Sequence, residues 1–491
     1  MRLARAAASA LLLASTCRAT DLLTPEKLEA DIKTQELQRV LWSLNKIAND
    51  NGGTRAFGTA GYKASVDFVL ERAQTRFGKH FNTYLQPFNH TYEQTKSVSL
   101  KGPKGETVHV VSPQYNPGTP LPGGITASLI NTPVNDTTGS MCFESQWAGI
   151  DATGKLALVK RGTCAVADKV KFAKAKGAVG VLLYNQEPGT DYVAPTLGEA
   201  NIGLLVPVGI IPLEVANAWI PRLAAGEDLR PTLLVDAIVE TRESWNIISE
   251  TKTGDPNKVV MVGAHLDSVQ EGPGINDDGS GTAAILEIMG SVKQYDGYLH
   301  RIRFGWWGAE ESGLIGSLFY TNSLSELEAD KIKYYFNFDM IASPNPMFEI
   351  SHYINSGIGP ELLAEYLESN GKNVTYAEFD GRSDYAGFVE LGIPTTGLFT
   401  GDGAPWDPCY HQACDSLDNI NWEAFTVNSK AAARAVGVLA NSLEGVPPRQ
   451  RSTPFLRGRD AMTHNFRRWK ALSEHAHGSV SCSHGKKKLT V

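Results

Sequence analysis

From about Ser244 to Leu443 the sequence alternates apolar strands with amphipathic helices, the pattern of an open α/β sheet. The stretches KVVMVGAHLDS, RIRFGWWGAEE and YYFNFDM are predicted strands that each end in polar or charged residues. GTAAILEIMGSVKQY is a predicted helix that places Ile285, Ile288 and Met289 on one face. Because open α/β sheets bind ligands at the carboxyl ends of their strands, this segment predicts a polar site at that edge.

Polar side chains accumulate at those strand ends and in the loops that follow them. They are His265, Asp267, Asp277, Asp278, Glu310, Glu311, Asp339 and His411. Two histidines with three carboxylates fit zinc best, with one carboxylate bridging two ions roughly 3.5–4 Å apart. Such a site would also explain how Asp277 and Asp278 can lie side by side, because a cation offsets their mutual repulsion.

Each of these segments also has an ordinary structural interpretation. A lone His265 is more often a hydrogen-bonded structural histidine than a ligand. Asp277-Asp278 before Gly-Ser-Gly is equally consistent with a turn and a helix cap. Glu310 and Glu311 fit two solvated charges. The metal hypothesis is favoured because five candidate ligands follow strands of a single domain.

The length of 491 residues exceeds one compact core, so more than one domain is expected. Short apolar runs alternate with proline and glycine turns in residues 116–239, which predicts a β-rich insertion. We expect a catalytic domain from residues 20–115 and 240–445, and a basic tail, 446–491, without apolar periodicity. Near the start, TPEKLEADIKTQELQRVLWSLNKIA is predicted to be one helix.

The N-terminal residues 1–19 have the order of a secretory signal peptide: a basic start, an apolar run and then small residues. No later apolar stretch is long enough to span a bilayer. The formal net charge of −7 argues against a nucleic-acid partner. We therefore expect a secreted protein, with delivery to a vacuole or another lytic compartment as the alternative.

Sequons and cysteines agree with an oxidising compartment. N-glycosylation sequons begin at Asn89, Asn135 and Asn373. Removal of the signal leaves Cys142, Cys164, Cys409, Cys414 and Cys482. The first two and the next two are natural disulfide pairs, which leaves Cys482 in the tail.

These segments resemble the secreted and vacuolar zinc aminopeptidases of the leucyl aminopeptidase and aminopeptidase Y type, which are co-catalytic two-zinc exopeptidases. The resemblance covers most of residues 23–443, and five motifs match in order and spacing. It implies the zinc-exopeptidase fold, which is phosphorylase/hydrolase-like, with a mixed central β-sheet flanked by helices. GKLALVKRGTC and DKVKFAKAKGAVGVLLYN resemble the protease-associated domain inserted in such enzymes.

The resemblance also implies a set of metal ligands. Asp277 would bridge two zinc ions. His265 and Asp339 would complete one metal position, and Glu311 and His411 would complete the other. The Cys409–Cys414 pair would pin the loop that carries His411.

Further residues would act around the metals. By resemblance, Glu310 would be the general base for a bridging zinc-bound hydroxide, and Tyr410 would help to stabilise the tetrahedral oxyanion. Asp267, two residues after His265, suits fixing the imidazole tautomer through its other nitrogen. Asp384 fits a comparable role, and a surface turn is nearly as good an interpretation of it.

The resemblance implies removal of an N-terminal residue, large and apolar such as Leu, from peptides with a free α-amine, and we expect a monomeric enzyme. A carboxypeptidase of related fold would need an arginine for the terminal carboxylate, and Arg382 is the only obvious candidate. A glutaminyl cyclase needs one zinc, so an intact set of five ligands argues against it. An inactive receptor-like protein would lack a ligand or Glu310, and neither is lacking.

Overall fold

The computed structural model of the protein describes residues 21–190 and 194–450. The predicted signal peptide, the part of the tail beyond residue 450 and Cys482 lie outside the described residues. The described chain divides into two compact units, one formed by residues 21–88 and 244–450 and the other by residues 89–243 without its three undescribed positions.

The helices and strands are numbered in chain order. The helices are α1 (Pro25–Asp31), α2 (Thr34–Asp50), α3 (Ala60–Leu70), α4 (Val166–Ala175), α5 (Leu213–Ala224), α6 (Gly279–Val292), α7 (Ile315–Ser323), α8 (Glu326–Lys331), α9 (Gly359–Ser369), α10 (Ala386–Glu390) and α11 (Trp422–Asn441). The strands are β1 (Phe81–Lys101), β2 (Thr107–Val108), β3 (Ile125–Thr126), β4 (Leu129–Asn131), β5 (Leu156–Lys160), β6 (Gly180–Tyr184), β7 (Val208–Ile211), β8 (Thr232–Thr251), β9 (Asp255–His265), β10 (His300–Trp307), β11 (Ile332–Phe338), β12 (Phe348–His352), β13 (Val374–Glu378) and β14 (Thr395–Phe399).

The first unit contains a mixed sheet in the order β13-β12-β14-β11-β9-β10-β8-β1, to which β1 and β8 contribute only their parts within this unit. Strand β9 pairs in parallel with β10 and β11, and β11 pairs in parallel with β14. Strands β8 and β12 are antiparallel to their neighbours β10 and β14. The predicted mixed α/β sheet is confirmed, and the carboxyl ends of β9, β10, β11 and β14 lie along one edge.

Both faces of this sheet are covered, as the alternation along β9 shows. Val260 and Val262 belong to a buried cluster that also contains apolar residues of α2, α6 and α11. Val259 and Met261 belong to a second cluster on the other face, with residues of α7 and α10. The ring of Phe388 stacks on a strand tyrosine of that cluster at 3.6 Å between centroids. The central strands of this sheet are therefore buried on both faces.

The N-terminal helix predicted from the sequence is in fact two helices, α1 and α2. Ile32 and Lys33 between them have extended backbone. Ile32 is 1% exposed and packs in the core of the unit. The break lets this side chain reach the core, and tertiary packing therefore overrides the helical periodicity of the sequence.

The second unit contains a parallel four-stranded sheet in the order β4-β5-β6-β7. Helix α4 and strand β6 overlap the stretch DKVKFAKAKGAVGVLLYN. Successive residues of β6 again alternate between two apolar clusters, with Leu183 in one and Leu182 in the other. The disulfide Cys142–Cys164 lies in this unit and confirms the first predicted pair.

Candidate active site and metal centre

The predicted site residues come from four neighbouring parallel strands. His265 is the last residue of β9, and Asp339 directly follows β11. Glu310 follows the end of β10 by three residues, and the loop after β14 leads to His411. Asp277 lies just before α6. The sheet topology brings side chains from far-apart segments to one edge.

The carboxylate of Asp277 lies between the two histidines. Its Oδ1 is 3.1 Å from Nε2 of His265, and its Oδ2 is 3.2 Å from Nε2 of His411. Nε2 of His265 is also 3.6 Å from Oδ1 of Asp339, and Nε2 of His411 is 3.0 Å from Oε2 of Glu311. The five side chains thus form two groups that share Asp277.

Each group fits a metal ion by its donor atoms. The ligand atoms of His265, Asp277 and Asp339 lie within 4.8 Å of one another, as do those of Asp277, Glu311 and His411. Oε1 of Glu311 and Oδ1 of Asp339 are buried and have no hydrogen-bond partner. A buried carboxylate oxygen without a partner is costly unless a cation is bound. The set of two imidazoles and three carboxylates is one that zinc prefers.

The site concentrates negative charge, and its pKa values show this. Burial lowers the pKa of both histidines, but the facing carboxylates outweigh burial and raise it well above the ordinary value. Burial raises the pKa of Glu310 well above its usual range and that of Glu311 to about 7. The pKa of Asp277 is lowered, because its hydrogen bonds with the two imidazoles overcome burial.

Asp278 has a different surrounding from its neighbour Asp277. It is fully buried and is the N-cap of α6, where Oδ1 accepts the N–H of Gly281 at 2.8 Å. Its oxygens also accept the N–H of His265 at 3.2 Å and that of Met340 at 3.3 Å. The peptide bond between the two aspartates is cis. Because Asp278 accepts the N–H of Gly281 at the start of α6, the helix-cap interpretation holds for Asp278, while Asp277 faces the histidines.

Asp267 is fully buried behind the site. The backbone carbonyl of Asp267 is 3.1 Å from Nδ1 of His265, whereas the carboxylate Oδ1 of Asp267 is 3.8 Å from the same nitrogen. The carboxylate accepts the N–H of Glu310 at 3.0 Å and that of Glu311 at 3.3 Å. Asp267 therefore contacts the predicted base and its neighbour as well as the imidazole.

Asp384 and its neighbour Ser383 also lie beside the site. Asp384 is 1% exposed, so it does not occupy a surface turn. Burial raises its pKa to about 8, more than the nearby His265 lowers it. The Ser383 hydroxyl donates to Oδ2 of Asp339 at 2.6 Å.

The loop that carries His411 is closed by the disulfide Cys409–Cys414, which confirms the second predicted pair. Tyr410 stacks on the imidazole of His411 with 3.8 Å between ring centroids. Burial, followed by Asp277 and Glu311, raises the pKa of the Tyr410 hydroxyl well above its usual value. The hydroxyl therefore keeps its proton and can donate it in a hydrogen bond.

The backbone beside the site adopts left-handed conformations that side chains rarely take. Ala309 has φ 56°, Met340 has φ 51° and His411 has φ 56°. Each of these residues is, or directly adjoins, a residue of the predicted site. Such conformations persist only where the surrounding packing enforces them, which is typical of functional sites.

Sequence reasoning missed a buried arginine in the N-terminal segment. Arg55 is fully buried, and its guanidinium donates to the carbonyls of Leu266, Pro273 (2.8 Å) and Gly274 (2.5 Å). It thereby spans the loop between His265 and Asp277. A single arginine outside any periodic pattern carries no sequence signal for this role. Two further buried carboxylates, Asp407 and Asp415, were missed for the same reason.

A cavity of about 240 Å³ opens onto the five predicted ligands. Its apolar lining includes Met340, Phe379, Leu398 and Phe399, and its polar lining includes Glu310, Glu349, Arg382 and Tyr410. The guanidinium of Arg382 forms ion pairs with Asp380 and with Asp402. The arginine that a carboxypeptidase would need is therefore already paired on two sides.

Curated relatives match this chain over most of its length. Aminopeptidase Y of Saccharomyces cerevisiae is 34% identical over 455 residues, covering 87% of this chain and 82% of the relative. Leucine aminopeptidase 2 of Arthroderma otae is 33% identical over 458 residues, covering 88% and 89%. The model of peptidase family M28 matches residues 246–436. The chain belongs to peptidase family M28.

A second model, that of the PA domain, matches residues 125–219 of this M28 peptidase. The PA domain is thus inserted ahead of the family-matched segment, as the resemblance implied. Solved structures agree with the fold. An aminopeptidase from Aneurinibacillus sp. strain AM-1 superposes with a TM-score of 0.63 at 27% identity, over 88% of this chain and 98% of that one. A zinc aminopeptidase from Bacillus subtilis gives 0.62 at 26% identity, over 85% and 99%.

Proposed function

We propose that this metallo-aminopeptidase of family M28 uses two zinc ions to remove the N-terminal residue from peptides with a free α-amine. The observation that carries the proposal is the position of the Asp277 carboxylate, with one oxygen toward His265 and the other toward His411. Asp339 would complete the first metal position and Glu311 the second.

Glu310 is the proposed general base. It is buried, lines the cavity and has its Oε2 3.9 Å from Nε2 of His265. Zinc, when bound, would lower the pKa of a coordinated water and polarise the scissile carbonyl. The carboxylate of Glu310 would accept the proton of the attacking water and pass it to the departing amine. Asp267 would orient this residue through its backbone N–H.

Tyr410 is the proposed donor to the oxyanion. Its ring is fixed against His411, and its hydroxyl is protonated at neutral pH. A hydrogen bond from this hydroxyl would stabilise the charge that develops on the substrate oxygen. Asp384, buried beside the site, is proposed for a role comparable to that of Asp267.

The proposed substrate specificity follows from the residues that line the cavity. Acidic groups, including Glu310 and Asp339, would accept the α-ammonium group and so restrict cleavage to the first residue. The paired state of Arg382 argues against recognition of a terminal carboxylate. Met340, Phe379, Leu398 and Phe399 favour an apolar first residue. One relative is named a leucine aminopeptidase, which supports leucine.

The compartment, the glycosylation sites and the domain boundaries of the enzyme are also proposed. Two disulfides favour secretion or a lytic compartment. The side chains of Asn89, Asn135 and Asn373 are exposed, as glycosylation requires. In the described part of the chain no helix is long and apolar enough to cross a membrane. We further propose residues 20–115 and 240–445 as the catalytic domain of a monomer, and 116–239 as the inserted domain.

The test is hydrolysis of leucine-p-nitroanilide beside its N-acetylated form, before and after chelation and after zinc is restored. Cleavage of the free amine alone, lost with chelation and regained with zinc, is the expected result. Equal cleavage of both substrates would overturn the requirement for an α-amine. Activity that survives complete zinc removal would overturn the metal mechanism.

A further inference from the structure

Two buried aspartates stand at the ends of the segment that carries Tyr410 and His411. Asp407 is 0% exposed and Asp415 is 2% exposed. Neither carboxylate forms an ion pair with a lysine or arginine in the described part of the chain, although the charge of the buried Arg55 acts on Asp415. Buried carboxylates without a cationic partner are rare unless N–H groups satisfy them.

The hydrogen bonds of these carboxylates lead to the segment that carries Asp277. Oδ1 of Asp415 accepts the N–H of Asn276 at 2.8 Å, and Oδ2 accepts the N–H of Asp277 itself at 3.0 Å. Oδ2 of Asp407 accepts from Nδ2 of Asn276 at 2.7 Å. In addition, the N–H of Ile275 donates to the carbonyl of Asp415 at 3.1 Å. The two segments are 130 residues or more apart in sequence.

Asn419 closes this network from the other side. Its Nδ2 donates to Oδ1 of Asp407 at 2.8 Å and to Oδ1 of Asp415 at 3.2 Å. Oδ1 of Asp407 also accepts the N–H of Cys409 at 3.0 Å. The disulfide Cys409–Cys414 restrains the loop internally, but it makes no bond to the Asp277 segment. The aspartates supply that connection.

We propose that Asp407 and Asp415 are positioning residues that hold the His411 loop against the Asp277 segment and so determine metal affinity at the Glu311–His411 position. The inference rests on the proposed function, because it takes Asp277 and His411 as zinc ligands. Those two side chains are 3.2 Å apart, and the bonds to Asn276 and Asp277 fix the backbone on which both depend. The first metal position shares Asp277 but receives His265 and Asp339 from strand ends that these bonds do not touch, so the larger effect is expected at the second position.

The substitution Asp415→Asn tests this with little change of volume. Both oxygens of Asp415 face N–H donors, and an amide would turn an NH₂ group toward one of them. One hydrogen bond is lost, and the new NH₂ group faces a backbone N–H donor. Substitutions around metal ligands of this kind typically weaken metal binding by about 10- to 100-fold.

The experiment is calorimetric titration of the metal-free full chain with Zn²⁺. The wild-type chain should bind two ions. In Asp415→Asn we expect one ion to bind about 10- to 100-fold more weakly than in the wild type and the other to lose much less affinity. The binding curve should resemble that of His411→Ala and differ from that of His265→Ala. Visible absorption of Co²⁺ in the retained position provides a spectroscopic signature of an intact first site.

Controls separate positioning from general destabilisation. Asp418→Asn makes the same substitution at an exposed aspartate three residues after Asp415, and this variant should bind two ions like the wild type. Equal weakening of both ions in Asp415→Asn, or weakening of neither, would overturn the inference. If Asp415→Asn does not fold, Asn419→Ala decides, because it removes only the bridging amide and must show the same asymmetry. A wild-type chain that binds at most one ion would instead overturn the proposed two-zinc function, and this inference with it.

Discussion

The carboxylates of Asp277 and Asp278 belong to neighbouring residues but have different partners. Asp277 lies between the Nε2 atoms of His265 and His411, whereas Asp278 accepts backbone N–H groups from the ends of two strands and the start of a helix. One carboxylate faces the proposed metals, and the other fixes the backbone that surrounds them.

Asp278→Asn should therefore lower the free energy of unfolding by more than about 2 kcal/mol, because an amide NH₂ would replace one of the two buried oxygens that accept backbone N–H groups. Urea unfolding of the metal-free protein measures this. The matched control is Ser325→Ala, which removes the exposed cap of α8 and should cost about 1 kcal/mol. Equal losses for the two variants would contradict the assigned role of Asp278.

Glu310→Gln should lower kcat by about 100- to 10,000-fold, because an amide cannot accept the proton of the attacking water. Zinc content should stay at the wild-type value, since Glu310 is not a proposed ligand. Glu311→Gln, one residue further on, should instead lose zinc from one position. Metal analysis beside steady-state kinetics separates the two variants. Loss of zinc from Glu310→Gln would show that the base and ligand roles are wrongly assigned.

Arg55→Met should destabilise the protein by roughly 3 kcal/mol or more, because it removes the buried positive charge and its hydrogen bonds to three buried carbonyls. The carbonyl of Gly274 would still accept the N–H of Gly279. Burial lowers the pKa of Arg55, and the nearby aspartates oppose this only in part; they are Asp267, Asp415, Asp278 and Asp277. Thermal and urea unfolding test the prediction. Arg39→Met, at a side chain that is 70% exposed, should change stability by less than about 1 kcal/mol. An Arg55→Met variant as stable as the wild type would contradict the stabilising role of Arg55 in the loop between His265 and Asp277.

Asp384 should make the stability of the metal-free protein depend on pH. Burial raises its pKa from 3.8 in the unfolded chain to about 8, so folding favours the protonated acid. This contribution is complete below pH 3.8 and is lost as the pH rises through about 8. From pH 5 to pH 8 the wild type should lose stability more steeply than Asp384→Asn, by up to about 1 kcal/mol per pH unit. Urea midpoints in chelator at each pH measure this, and parallel curves would refute it.

The sequence predicted the sheet and the set of candidate ligands because both follow from local pattern. Apolar runs that end in His265, in Glu310-Glu311 and in Asp339 indicate parallel strands, and parallel strands bring their carboxyl ends together. The inserted PA domain and both disulfides could also be predicted from the printed residues. The ligand and base roles stay predictions that the structure accommodates.

What could not be predicted depends on contacts between distant segments. Arg55 lies 218 residues before its partner Pro273, in a loop without periodicity. Asp407 and Asp415 resemble ordinary loop aspartates until the fold places Asn276 beside them. Ile32 breaks a helix that its neighbours favour, because the core lies beneath it. In each case a contact between residues far apart in the sequence determines the local structure. A short stretch of sequence does not contain both partners of such a contact.

Anomalous diffraction from crystals of the zinc-loaded protein, recorded on both sides of the zinc absorption edge, would most directly test the proposed metal centre. We predict two peaks about 3.5–4 Å apart, one between His265 and Asp339 and one between Glu311 and His411, with Asp277 contacting both. A single peak, or two peaks that do not share Asp277, would contradict the two-zinc mechanism.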